Sequence, residues 1–164
     1  MDMTTDDATP NVRASGYFIV ESRFPCLKCS QVSAVFAFAV PKGYESLCVD
    51  DSTPENECGV WEPQELAAVL SFVGCLPEAV IKRVRAVTSC YRIVTERETC
   101  SGFWMNHCEH CGARMEEEEL HEDMDGPFGS IPSVGWEAIR LHEVREPFAA
   151  AAGGESHHLR PLNG

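Results

Sequence analysis

FPCLKCSQVSAVFAFAV, residues 24–40, decides how this chain is read. It places a Cys-x-x-Cys turn, Cys26 to Cys29, between two strand-like segments. Upstream, Ser15 to Arg23 (SGYFIVESR) is rich in aromatic and β-branched residues and ends at Pro25. Downstream, Val32, Ala34, Phe36 and Phe38 alternate with smaller residues until Pro41 stops the run. Strand, cysteine-rich turn and strand predict a hairpin.

A second turn of the same kind, His107-Cys108-Glu109-His110-Cys111-Gly112, follows Phe103-Trp104-Met105. Two thiolates two residues apart can face one metal ion. Two such turns complete a tetrahedral S4 shell, which zinc prefers among soft-ligand sites. Cys26, Cys29, Cys108 and Cys111 are therefore expected to hold one structural Zn2+. Such binding is worth about 10–16 kcal/mol in zinc peptides at neutral pH, and part of it becomes folding energy. The gap from Cys29 to Cys108 is wider than zinc-finger spacing, so each hairpin is expected to supply one knuckle of a split ribbon. Gly112 permits the positive φ that such knuckles use, and Ser30 stands in the matching place of the first turn. Three other readings compete. The thiols could be packing groups that never meet. Either CxxC could be a redox pair, which ordinarily opens a helix in a βαβ setting. His107 or His110 could replace a cysteine, although four sulfurs already fill the shell.

Composition narrows the function. The chain has 164 residues and a net charge of −13, from 26 acidic and 13 basic side chains. The acidity runs through both halves and argues against general binding to phosphate backbones, which rests on clustered Lys and Arg. With 44% hydrophobic residues, the chain is not largely disordered, and its length suits one domain. The acidic start, Met1 to Asp7, lacks the basic and apolar segments of a secretory signal. The apolar run from Leu66 to Leu76 is too short to cross a bilayer, which takes about 20 residues. A cytoplasmic protein is expected, where nine cysteines would be ligands, packing thiols or redox groups and not a disulfide framework.

Along the chain, residues 1–14 read as a flexible leader, 15–148 as a single domain, and 149–164 as a flexible tail. Residues 41–61 read as loop. A helix is expected from Pro63, with Leu66, Ala67, Leu70 and Val73 on one face and Gly74 at its end. A second begins at Pro77, with Val80, Ile81 and Val84 apolar, so a helical insertion spans about 62–86. Thr88 to Thr99 reads as a strand, and Trp136 to Val144 as a strand with a short helix as the alternative. The expected fold class is α+β: a split zinc ribbon of antiparallel hairpins with helices inserted between its knuckles.

Of the other cysteines, Cys75 is expected in the core of the helical segment, and Cys90 and Cys100 as packing residues. Cys48 and Cys58 flank an acidic loop, where packing competes with a second metal site completed by a carboxylate. Glu116, Glu119, His121 and Asp123 could be imagined as an acid–base or hard-metal site, but the charge run Glu116 to Glu119 reads in preference as a solvated face. His157 and His158 read as unstructured. Lys82, Arg83, Arg85 and Arg92 form the one basic cluster, read as helix surface. There is no GxSxG, Walker-type glycine loop or HExxH, so no catalytic residue is assigned and no enzyme is expected.

Three stretches, FPCLKCSQVSAVFAFAV (24–40), WMNHCEHCGARM (104–115) and LHEDMDGPFGS (120–130), resemble an uncharacterised group of bacterial and phage-associated proteins with two CxxC knuckles. The acidic run Glu116–Glu119 departs from that group's less charged pattern. The resemblance implies a split zinc-ribbon architecture and carries no activity. The leading expectation is a non-catalytic, zinc-stabilised protein-interaction module whose acidic surface meets a basic or nucleic-acid-binding partner. The phage-like resemblance extends this to an inhibitor or regulator of a host or defence nucleoprotein. The alternatives are an accessory nucleic-acid-associated zinc ribbon using the Lys82–Arg92 patch, and a CxxC thiol-disulfide protein.

Overall fold

A computed structural model describes residues 10–48, 60–95, 102–130, 132 and 135–163. The chain is mostly antiparallel β-sheet with few helices. Its strands are β1 (Val12–Ala14), β2 (Tyr17–Pro25), β3 (Val32–Val40), β4 (Glu45–Cys48), β5 (Val60–Pro63), β6 (Ala68–Gly74), β7 (Tyr91–Thr95), β8 (Gly102–His107), β9 (Arg114–Met115), β10 (Arg140–Val144) and β11 (Phe148–Ser156). Helix α1 covers Glu78–Val87, a π-helical turn covers Glu118–Glu122, and the short α2 covers Arg160–Asn163.

Eight strands form one sheet in the order β10-β2-β3-β6-β11-β1-β4-β5, and β7-β8-β9 form a second. The expected hairpin is its longest pairing, with β2 and β3 in register from Phe18 opposite Ala39 to Pro25 opposite Val32. Strand β11 pairs with β6 on one side and β1 on the other, and so joins the two halves of the large sheet.

Alternation along these strands feeds two cores. Tyr17, Ile19, Phe36, Phe38, Val40, Leu70 and Phe148 pack on one face, covered by Val80 and Val84 of α1 and by Tyr91 and Trp104 of the second sheet. Val20, Val35, Ala37, Ala39 and Val69 face the other way, against Met115, Leu120, Phe128, Leu159 and the cysteines Cys26 and Cys108. Each fully buried large apolar side chain stabilises the fold by about 1.5–3 kcal/mol relative to exposure. Because the large sheet is covered on both faces, its strands β3 and β6 are almost continuously apolar.

That coverage overturns several sequence expectations. The helical insertion at 62–86 is helical only in its last part, α1. Residues 60–63 and 68–74 are strands, and β6 lies in the middle of the sheet. Ala68 to Val73 is almost wholly apolar because β6 is buried on both sides, which mimics an apolar helix in a short window. The segment expected as a tail, 149–164, contains most of β11 and all of α2, with Ala150 and Leu159 fully buried. The leader, 1–14, holds β1; residues 1–9 lie outside the described residues. The bounds 15–148 thus leave out two strands that pair with each other. The loop at 41–61 contains β4 and β5, which form a hairpin-like pair. Residues 96–99 of the expected 88–99 strand lie outside the described residues, and its described part is β7.

Candidate metal centre

The two CxxC turns close in the same way. In the first, Cys26 N–H donates to Gln31 O at 2.9 Å and Ser30 N–H to Cys26 O at 2.8 Å. In the second, Cys108 N–H donates to Ala113 O at 2.8 Å and Gly112 N–H to Cys108 O at 2.9 Å. Each turn also aims a backbone N–H at its first sulfur: Lys28 at Cys26 Sγ and His110 at Cys108 Sγ, both at 3.3 Å. The residue after each second cysteine is left-handed, Ser30 at φ 68° and Gly112 at φ 79°. Serine and glycine hold the same conformation, so the second turn forms with less strain.

The turns meet. Cys26 Sγ lies 3.7 Å from Cys111 Sγ, and Cys29 Sγ lies 3.7 Å from Cys108 Sγ. All four sulfurs fall within 4.8 Å of one another, close enough to hold a metal ion. These separations are far beyond a disulfide bond, about 2.05 Å. Cys26 and Cys108 are buried, Cys29 is half-buried and Cys111 is exposed.

Contacts between the turns fix their register. Glu109 N–H donates to Ser33 Oγ at 3.0 Å, and the Glu109 carboxylate accepts from Ala34 N–H at 3.1 Å. His110 Nε2 sits 2.9 Å from Val32 O, a contact that requires the ring to carry its proton there. His110 is thus a brace between the turns, and His107 is buried apart from the sulfur cluster. Burial, with help from nearby Arg92, pushes the His107 pKa down.

Asn106 carries the deepest link. Pairing between β3 and β6 stops at Phe38 opposite Leu70. At the next outward position, Phe36 N–H donates to Asn106 Oδ1 at 2.7 Å, and Asn106 Nδ2 donates to Phe36 O at 2.8 Å. A fully buried side-chain amide therefore supplies both bonds of a missing strand neighbour and ties β8 to β3.

Backbone N–H groups, burial and the neighbouring sulfurs set how readily each thiol ionises. The N–H groups of Cys29 and Lys28 draw the Cys26 pKa down. The Gln31 N–H acts in the same direction on Cys29, but burial and the other three cysteines push it up to about 11. Burial opposes ionisation of Cys108, yet the N–H groups of Cys111 and His110 and its bonds to Cys29 and Cys26 bring it down to about 6. The site favours some thiolates and resists a full set unless a cation joins them.

Other expected residues fall elsewhere. Cys75 is exposed, in a left-handed conformation at φ 59°, just past β6, and is not a core residue of a helix. Cys90 is half-buried. Cys58 and Cys100 lie outside the described residues, so the Cys48–Cys58 site does too. In the basic cluster, Arg83 is paired with Glu146, with Nε 3.2 Å from Oε1. Arg92 donates to Ser89 O at 3.0 Å.

The acidic run is not wholly a solvated face. Glu117 is 1% exposed, and its carboxylate accepts the Phe72 N–H at 2.9 Å. Phe72 itself is left-handed at φ 52°, which turns that N–H toward the acid. Burial pushes the Glu117 pKa up to about 7, with the Phe72 N–H opposing and Glu116 assisting. His121, one helical turn on, is buried beside Phe128, its ring centroid 5.0 Å away. His121 Nε2 is 3.5 Å from Glu117 Oε1, too far for a hydrogen bond, and burial pushes the His121 pKa down to about 3. Both groups are thereby driven toward their neutral forms. Glu117 and Asn106 went unassigned at the sequence level. A lone Asn among FWM and H was the signal for one; four consecutive glutamates hid the other.

No protein-family model matches the chain, and no curated protein or solved structure matches it either.

Proposed function

We propose that the four cysteines hold one structural Zn2+ in a split zinc ribbon, and that the chain is a non-catalytic interaction module whose acidic surface meets a basic partner. The sulfur geometry carries this reading. Tetrahedral zinc with Zn–S bonds of about 2.3 Å needs sulfurs roughly 3.8 Å apart. The two closest cross-turn pairs are 3.7 Å apart. Four protein thiolates complete the shell and leave no position for water or substrate, the arrangement of a structural metal. The net charge of −13 supports a basic partner, since complementary charge speeds association and rejects like-charged competitors. The Arg83–Glu146 pair removes one cation from the patch that an accessory nucleic-acid ribbon would use.

Two measurements test the two parts. Elemental analysis of anaerobically purified protein is expected to give one zinc per chain, with unfolding when a strong chelator removes it; a folded metal-free protein would sink the structural site. Capture from the native cell with the whole chain is expected to yield a basic protein whose affinity falls steeply with added salt. A salt-insensitive partner, or one without excess basic charge, would overturn the interaction reading.

A further inference from the structure

Solvent meets the cysteine cluster at one corner. Cys26 and Cys108 are each 2% exposed and Cys29 is half-buried, whereas Cys111 is exposed. The Cys111 sulfur also touches a sulfur of the other turn, Cys26 Sγ at 3.7 Å. An accessible cysteine poised beside a second one is the arrangement through which oxidants enter a thiol cluster: the first sulfur takes the oxygen and the second resolves it.

Both 3.7 Å sulfur contacts run between the turns, Cys26 with Cys111 and Cys29 with Cys108. A disulfide needs about 2.05 Å, so Cys26 and Cys111 must close by about 1.7 Å. Groups other than sulfur already hold the turns together. Glu109 bonds Ser33 and Ala34, His110 meets Val32 O, and Asn106 bonds Phe36. These contacts keep the two backbones in register, and side-chain rotation at the two cysteines supplies the remaining movement.

We propose that Cys111 and Cys26 form a peroxide-responsive pair that exchanges the bound metal for a disulfide between the turns. The inference rests on the structural-metal reading above and adds its regulation. The Cys111 thiolate attacks one oxygen of hydrogen peroxide; the O–O bond breaks, and the departing hydroxide takes a proton to become water. Cys111 is then a sulfenic acid. The Cys26 thiolate attacks its sulfur, the S–S bond forms, the S–O bond breaks, and a second hydroxide leaves and is protonated. Two thiolates have given up two electrons, and one peroxide has become two waters. Cys29 and Cys108 remain as two thiolates, too few for a tetrahedral S4 shell, so the chain gives up its metal. The new link spans 85 positions and takes over the cross-link that the metal had supplied.

The test treats the full zinc-loaded chain with one equivalent of hydrogen peroxide and follows zinc release, disulfides and amide NMR together. Trypsin separates the candidates, since it cuts after Arg23, Lys28, Arg97 and Arg114. A Cys26–Cys111 link joins residues 24–28 to residues 98–114, and fragmentation places the bond on Cys111. One zinc is expected to leave per link formed, while the amide spectrum stays dispersed. A thiol reductant with added zinc is expected to restore the starting state. Dimedone, which traps sulfenic acids, is expected to mark Cys111 ahead of the other three ligands. No link, a Cys26–Cys29 or Cys108–Cys111 link, zinc that stays bound after the link forms, or an unfolded oxidised chain would overturn the proposal and leave the structural metal standing. A chain without zinc before peroxide is added would overturn both.

Discussion

Glu117→Gln tests the buried acid directly. The amide keeps an oxygen for the Phe72 N–H and removes the ionisable group from a side chain that is 1% exposed. In the folded wild type the Glu117 pKa is raised from 4.5 to about 7. A raised folded value means that the proton binds more tightly in the native state. The stabilisation is complete below the unfolded pKa and is lost as pH rises through the folded one. Between about pH 5.5 and about pH 8.5 this residue alone should therefore cost the wild type about 2 kcal/mol of stability. The variant escapes that loss. His121 acts with the opposite sign, since its folded pKa is lowered and its contribution fades as pH falls below its unfolded value. That term is common to both proteins and drops out of the difference. Urea denaturation of both, with zinc in excess at each pH, measures it. The variant is expected to gain about 2 kcal/mol on the wild type over this range. Parallel curves would mean that Glu117 titrates as an exposed carboxyl. The same pH-dependent gain is expected when both proteins also carry His121→Gln; its loss there would mean an ionised Glu117 paired with protonated His121, and would refute the neutral-pair reading.

Other perturbations give separate checks. Asn106→Ala strands the Phe36 N–H and C=O in the core and is expected to cost about 2–6 kcal/mol in urea denaturation. Ser30→Gly relieves a left-handed serine and should raise stability by about 1 kcal/mol, while Gly112→Ala should lower it by a similar amount, both with one metal retained. A Cβ at Gly112 meets no atom within 4 Å, so a much larger loss there would point to a contact that the fold does not contain. Cys29→Ser should abolish tight metal retention in elemental analysis, whereas Cys75→Ser, on an exposed side chain, should leave it unchanged.

The chemistry of the candidate centre was legible because Cys-x-x-Cys is a local pattern with one strong geometric meaning. The β2–β3 hairpin was legible for a related reason: alternating side chains between proline stops need no knowledge of their neighbours. Strands β6 and β11 were hidden by their place in the middle of the sheet. Buried on both faces, β6 has no polar side to alternate with, and its run of Ala, Val, Leu and Phe passes for a helix face. Strand β11 reads in sequence as a tail because it is built of Ala and Gly, which are poor strand formers in isolation. Its small residues answer a packing need that only the fold reveals. A Cβ at Gly153 would sit 2.8 Å from Phe72 Cβ. Glu117 was invisible in the same sense, because four adjacent glutamates look alike until the backbone turns one of them inward.

The position of β11 also sets a timetable for synthesis. Asn11, beside β1, has its amide partner at Ala152, 141 residues along the chain. At about 5–20 residues per second, a ribosome needs roughly 7–28 s to make that interval. Until β11 emerges, β6 and β1 each present an open strand edge, and the two halves of the large sheet have no ladder between them. Closure then depends on contacts very distant in sequence, which makes it a slow step. A nascent or truncated chain lacking β11 should be a chaperone client and prone to aggregate, even with both cysteine turns already made.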